Sequence, residues 1–169
     1  FFFFLAVTDL FKARWTDDIH DEWIRNVLKN RPDLSLEQLT KTKDFMNAHV
    51  RDCLVTGYQG LVSGLSLPDQ GDIHVLAAAI RCNADVILTF NLKDFPDNCL
   101  ATYGIEAQHP DEFVRHLIDL NLEIVCQVAA QHRNSLKKPA KTQNEYLATL
   151  FNQGLPQTYN ELSKYSYKL

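Results

Sequence analysis

The chain has 169 residues, which is enough for one domain with a small appendage, and 46% of them are hydrophobic, which excludes a disordered chain. No apolar run reaches the ~18 residues needed to span a bilayer, and the opening FFFFLAV lacks the basic flank and small-residue cleavage site of a signal peptide. The net charge of −4 argues against a plain electrostatic nucleic-acid binder, but leaves room for a local patch or for a metal ion between protein and phosphate.

Residues 1–11 are apolar nearly all round and predict a buried helix. The one methionine is Met46, so the chain opens at Phe1 without an initiator, and a processed or missing start is expected. KARWT predicts a short extended piece, after which Thr16 can cap a helix carrying Asp17 and Asp18 in its first turn. That helix runs to about Lys29, with Ile19, Trp23 and Val27 as its buried stripe. Ser35 and Gln38 form a capping-box pattern for a helix over 36–50. DCLVTGY predicts a strand, and a Gly-rich loop follows it. Asp72 then stands at the N-cap position before IHVLAAAIRC, whose Val75, Ala78 and Ala79 offer a small-residue face for packing on a sheet.

ADVILTF (84–90) is a continuous β-branched run of the kind buried on both faces of a parallel sheet, and GIEAQ is a weaker strand. His109-Pro110-Asp111 starts a helix with Pro in its first turn, and from there on only helical patterns appear, divided at Pro139 and at Gly154-Leu155-Pro156. The alternation of helix and strand to about Gln108 argues an α/β, three-layer sandwich with a mostly parallel sheet, followed by C-terminal helices. The expected division is 1–112 and 113–169. Cys53, Cys82, Cys99 and Cys126 lie far apart with no CxxC pair, which fits reduced thiols and argues against a zinc knuckle.

Ligands of open parallel sheets bind at the carboxyl ends of the strands. Thr89, Asn91 and Asp94 emerge at that end of VILTF. A right-handed crossover runs helix and strand antiparallel, so the start of the preceding helix, with Asp72, lies near the same edge. Carboxylates and amide oxygens without Cys suit hard cations such as Mg²⁺ or Mn²⁺.

The runs PDQGDIHVLAAAIRCNADVILTFNLKDFP and DDIHDEW resemble the PIN-domain ribonuclease family, in particular its VapC-like toxins with an extra C-terminal helical segment; QGLPQT resembles the tail of that branch. The resemblance covers most of residues 1–112. It implies a metal-dependent endoribonuclease, the toxin of a toxin–antitoxin pair, with Glu22, Asp72 and Asp94 holding Mg²⁺ or Mn²⁺. Asn91 joins them as a catalytic residue, with Thr89, Asp69 and His74 around the substrate. It also implies an RNA substrate, a cognate antitoxin, a homodimer and a cytoplasmic location, with no membrane. The family begins with a strand ending in an Asp. FFFFLAVTDLF matches the helix after that strand, so the strand and its carboxylate are not expected here, and Asp9 is on the wrong element to replace them.

Blander roles stand beside these. Asp72 alone would read as an N-cap worth ~1 kcal/mol, Asp94 as a turn cap, Asn91 as a turn residue and Glu22 as solvated surface. His20, His49 and His109 have no partner at metal spacing. Lys12/Arg14 and Arg133/Lys137/Lys138/Lys141 are candidate phosphate contacts, though a solvated face is the simpler reading of each group. Two rival functions follow: a catalytically inactive PIN-like module that binds antitoxin or RNA, and a Mg²⁺-dependent phosphatase. The phosphatase needs an Asp nucleophile after a first strand.

Overall fold

The computed structural model describes residues 1–137 and 139–169, so the candidate phosphate contact at Lys138 lies outside the described residues. Helices dominate, with a small parallel sheet of two strands, β1 (Val86–Leu88) and β2 (Glu106–Gln108). The Glu106 N–H donates to the Asp85 carbonyl at 3.0 Å and the Thr89 N–H to the Gln108 carbonyl at 3.1 Å, an ascending ladder that makes the pair parallel. No helix among the described residues is long and apolar enough to cross a membrane. The chain forms two compact units, residues 12–87 with 91–107, and residues 1–11 with 88–90 and 108–169.

In the first unit, α2 (Asp17–Asn30) starts where expected, with Thr16 Oγ1 accepting the Ile19 N–H at 3.1 Å. Its buried face is turned one residue from the predicted stripe: His20 and Ile24 are buried, whereas Ile19, Trp23 and Val27 are only half-buried. A histidine can occupy the buried face because every polar atom around it is paired. The Trp23 indole donates to His20 Nδ1 at 2.8 Å, and His20 Nε2 lies 3.0 Å from Asn47 Oδ1, which also accepts from the Trp15 indole at 2.7 Å. Asn47 comes from α3 (Leu36–His49), whose capping box of Ser35 and Gln38 is formed in both directions.

The strand expected in DCLVTGY shrinks to one parallel bridge between Trp15 and Leu54. Two bonds hold it, Trp15 N–H to the Cys53 carbonyl and Val55 N–H to the Trp15 carbonyl, both 2.8 Å, before Gly57 at φ +72° turns the chain toward α4 (Gln59–Val62). The core of this unit joins Leu67, Leu76 and Ala79 to Ile87, Phe95 and Leu100. Leu76 and Ala79 belong to α5 (Ile73–Arg81), and Leu100 to α6 (Asp97–Leu100). β1 departs from the expected doubly buried strand: Ile87 is buried, but Leu88 is 37% exposed and Phe90 59%. An apolar run records what could be covered, not whether a layer covers both faces.

In the second unit, the predicted helix over 1–11 stops early. α1 spans Phe2–Ala6, and Asp9 adopts φ +57°, which no helix continues through. Leu5 is fully buried, with Phe1 and Phe4 partly buried beside it in one core. That core is built mainly by α7 (Pro110–Ser135), α8 (Gln143–Asn152) and α9 (Pro156–Ser163), with Val114, Val125, Ala129, Leu150 and Leu162 at its centre. Each such Val or Leu side chain contributes roughly 1.5–3 kcal/mol through removal from water. α7 is two helices end to end, broken at Asn121 (φ −156°, ψ 83°); the Asn121 Oδ1 accepts the Ile124 N–H at 3.1 Å and so starts the second half.

Asp111 ties the ends of this unit together. It is 2% exposed, in the first turn of α7. Its carboxylate accepts the Gln157 N–H, the Thr158 N–H and the Thr158 hydroxyl, each at 2.8 Å. It therefore caps α9 from a position 47 residues earlier in the chain.

Candidate metal centre

A local device sets the position of Asp72. Asp69 Oδ1 accepts the Gly71 N–H at 2.8 Å and opens a single 3₁₀ turn over Gln70–Asp72, which runs on into α5. A Cβ at Gly71 would stand 3.1 Å from Asp69 Oδ1, so the absence of a side chain there lets the carboxylate close. This turn takes the capping work away from Asp72, whose side chain makes no cap hydrogen bond. A second 3₁₀ turn, Leu92–Asp94, follows the end of β1, and the Asn91 side-chain amide donates to Asp94 Oδ2.

The two turns bring three carboxylates together. One oxygen each from Asp69, Asp72 and Asp94 lies within 4.8 Å of the others, with Asp72 and Asp94 half-buried and Asp69 exposed. Glu22 lies outside that trio. It is 3.0 Å from His74 Nε2, which must carry the proton of a bond to a carboxylate, while the buried His74 Nδ1 has no partner among the described residues. Glu22 still acts on the trio at a distance. Burial holds the Asp72 carboxyl above its ordinary value, and the charges of Asp69, Asp94 and Glu22 push it further up, against a smaller opposing pull from His74.

Of the residues singled out in the sequence, the fold gathers Asp69, Asp72 and Asp94 directly, sets Asn91 on Asp94, and pairs Glu22 with His74. Thr89 closes the β1–β2 ladder through its backbone and belongs to the second compact unit. Sequence reasoning ranked Asp69 as a peripheral acid; the signal for more was the Asp-x-Gly spacing of a short turn that aims two carboxylates the same way.

The donor set is chemically uniform: carboxylate oxygens, with an amide beside them and no thiol or free imidazole. Such sets suit Mg²⁺ or Mn²⁺, which take oxygen ligands, and a divalent cation would offset the mutual repulsion that raises Asp72. Without a cation, the same trio repels phosphate.

Known proteins resemble this chain in part. Residues 110–164 match the VapC50 C-terminal domain family. Over 64 residues the chain is 48% identical to the protein named "Putative ribonuclease VapC50" of Mycobacterium tuberculosis, a stretch that makes up 38% of this chain and 37% of that protein. The chain thus spans little more than a third of the relative it matches. No solved structure matches it.

Proposed function

We propose that the chain is a VapC-like member of the PIN-domain ribonuclease family, a metal-dependent endoribonuclease and the toxin of a toxin–antitoxin pair, a reading supported by its partial likeness to VapC50. The observation that carries this reading is the carboxylate trio of Asp69, Asp72 and Asp94, closed to 4.8 Å by the turns before α5 and after β1. The family supplies the reaction, and the trio supplies a place for it.

Glu22, Asp72 and Asp94 hold the ion in this reading, with Asp69 completing the acidic rim. When bound, Mg²⁺ or Mn²⁺ offsets the charge of the phosphodiester and eases attack by water. The chain's own residues do the rest. His74 holds Glu22 through Nε2, so that carboxylate has one orientation. Asn91 is held against Asp94 and orients the water or a phosphate oxygen. One water is consumed: its oxygen bonds to phosphorus, one P–O ester bond breaks, and the departing ribose oxygen takes a proton. The reading extends to an RNA substrate, a cognate antitoxin, a homodimer and a cytoplasmic setting. It also extends to a three-layer sandwich and to a functional division at about residue 112.

Cleavage of RNA oligonucleotides in Mg²⁺ or Mn²⁺ tests this, with EDTA and Asp72→Asn as controls. The 169-residue chain is compared with a version carrying a family-type first strand ahead of Phe1. Metal-dependent cutting that Asp72→Asn abolishes is the expected result. Intact RNA with both folded proteins, over several substrates, would sink the enzyme reading in favour of a binding module. Hydrolysis of a simple phosphoester with RNA untouched would instead favour a phosphatase.

A further inference from the structure

Phe90 stands out among the aromatic residues of the second unit. It is the last residue of the apolar run through β1, yet 59% of it is exposed. It is not loosely held. The Phe90 and His109 rings meet edge to face, with centroids 5.1 Å apart and planes at 90°. Gly154, in the turn between α8 and α9, packs against it. A Cβ on that residue would reach within 3.3 Å of Phe90 Cε1, and its φ of +82° already demands glycine. Three separate parts of one unit, a strand end, the N-cap of α7 and the α8–α9 turn, therefore fix one aromatic ring while leaving most of it open.

A solvent-facing ring packed against a glycine and a polar ring is suited to act as a base-stacking platform. Single-stranded nucleic acid is gripped by aromatic faces that accept any base, each adding about tenfold or more to affinity. Phe90 is bonded to Asn91, whose amide holds Asp94, so along the chain the ring comes directly before the carboxylate segment. We infer that Phe90, packed against Gly154 and His109, stacks on a nucleobase of single-stranded RNA. The helical C-terminal segment thereby gains a role, because its α8–α9 turn shapes the floor of the platform. The choice of RNA rests on the ribonuclease reading, whereas the stacking itself needs no catalysis.

Phe90→Trp turns the platform into its own reporter, with the unsubstituted chain correcting for Trp15 and Trp23. Binding is followed by tryptophan fluorescence at low ionic strength in EDTA, where the proposed cleavage cannot occur. Short single-stranded RNA is compared with a base-free ribose-phosphate strand of equal length. Quenching by RNA alone is expected, with Phe90→Ala weakening RNA binding about tenfold. In cleavage assays KM should rise by a similar factor in Phe90→Ala with kcat little changed, and Phe90→Trp should restore it. Equal quenching by the base-free strand, or none by either, overturns the proposal even if cleavage is intact. Concentration-dependent self-association lost in Phe90→Ala, with RNA affinity unchanged, also overturns it and assigns the ring to a protein interface. Quenching without any cleavage would preserve the platform and count only against the enzyme.

Discussion

Two aspartates at the starts of helices, one in each compact unit, are used in opposite ways. Asp111 is buried, and each of its oxygens accepts a donor from α9 at 2.8 Å, so its charge is fully used inside the fold. Asp72 is half-buried, makes no cap bond and faces two more carboxylates, and its acidity is weakened as a result. The first is a structural fastening. The second is held at a cost and has no structural return. Charge follows the same division: residues 12–87 and 91–107 contain 14 of the 21 acidic side chains and 10 of the 17 basic ones, whereas the remainder is balanced. A carboxylate given donors is explained by the fold; Asp72 is set beside other carboxylates instead, and the proposed cation would offset their repulsion.

The sharpest way to break this contrast is Asp111→Ala. It strands two backbone donors and a hydroxyl in the interior, and should cost about 3–5 kcal/mol in urea unfolding. A loss below about 1 kcal/mol would mean that the fastening is dispensable. Asp72→Asn should do the reverse. It should leave urea stability unchanged or slightly higher, while lowering cleavage at least ~100-fold, about 2.7 kcal/mol of barrier. If stability falls and cleavage persists, the roles of the two acids have been misread.

Acid titration should separate the units by sign. His132 in the second unit is pushed down to about 4, chiefly by burial, where its Nδ1 lies 3.0 Å from the Tyr146 hydroxyl. Neutral His132 is the form that folds, so its contribution is full above the ordinary 6.5 and is lost as pH falls from there to about 4; His132→Gln should flatten that loss. Asp72 runs the other way. Its folded value is raised, so its relative stabilisation is full below 3.8 and disappears as pH rises through the raised value. Mg²⁺ should abolish this slope in wild type, and Asp72→Asn should lack it. The smallest effect is local: Ser35→Ala removes half of a capping box and should cost about 1 kcal/mol in either state of the site.

Short-range chemistry was the legible part of this fold. Thr16, the Ser35–Gln38 box and Pro110 act within one helical turn, and each does what its residue type dictates. Where partners are distant, the pattern fell short. The α2 stripe was displaced because Trp15, Trp23 and Asn47 satisfy a buried histidine, a solution that hydropathy does not register. The strand at 52–58 needed a neighbour longer than Trp15 alone. The role of Asp111 depends on Thr158, which no local window contains. At the candidate site, Asp72 and Asp94 could be linked from topology, and Asp69 from its turn. The Glu22–His74 pairing spans 52 residues and required coordinates.

The reach of Asp111 also sets a schedule. During synthesis at roughly 5–20 residues per second, the start of α7 is made several seconds before Thr158 exists to cover it. Through that interval the acid remains hydrated, and the apolar face of α7 has no α9 to close over it. The helical unit thus completes late, when its last turns emerge, and a chain stalled before Gln157 would expose Val114 and Val125 to whatever else is apolar in the cell.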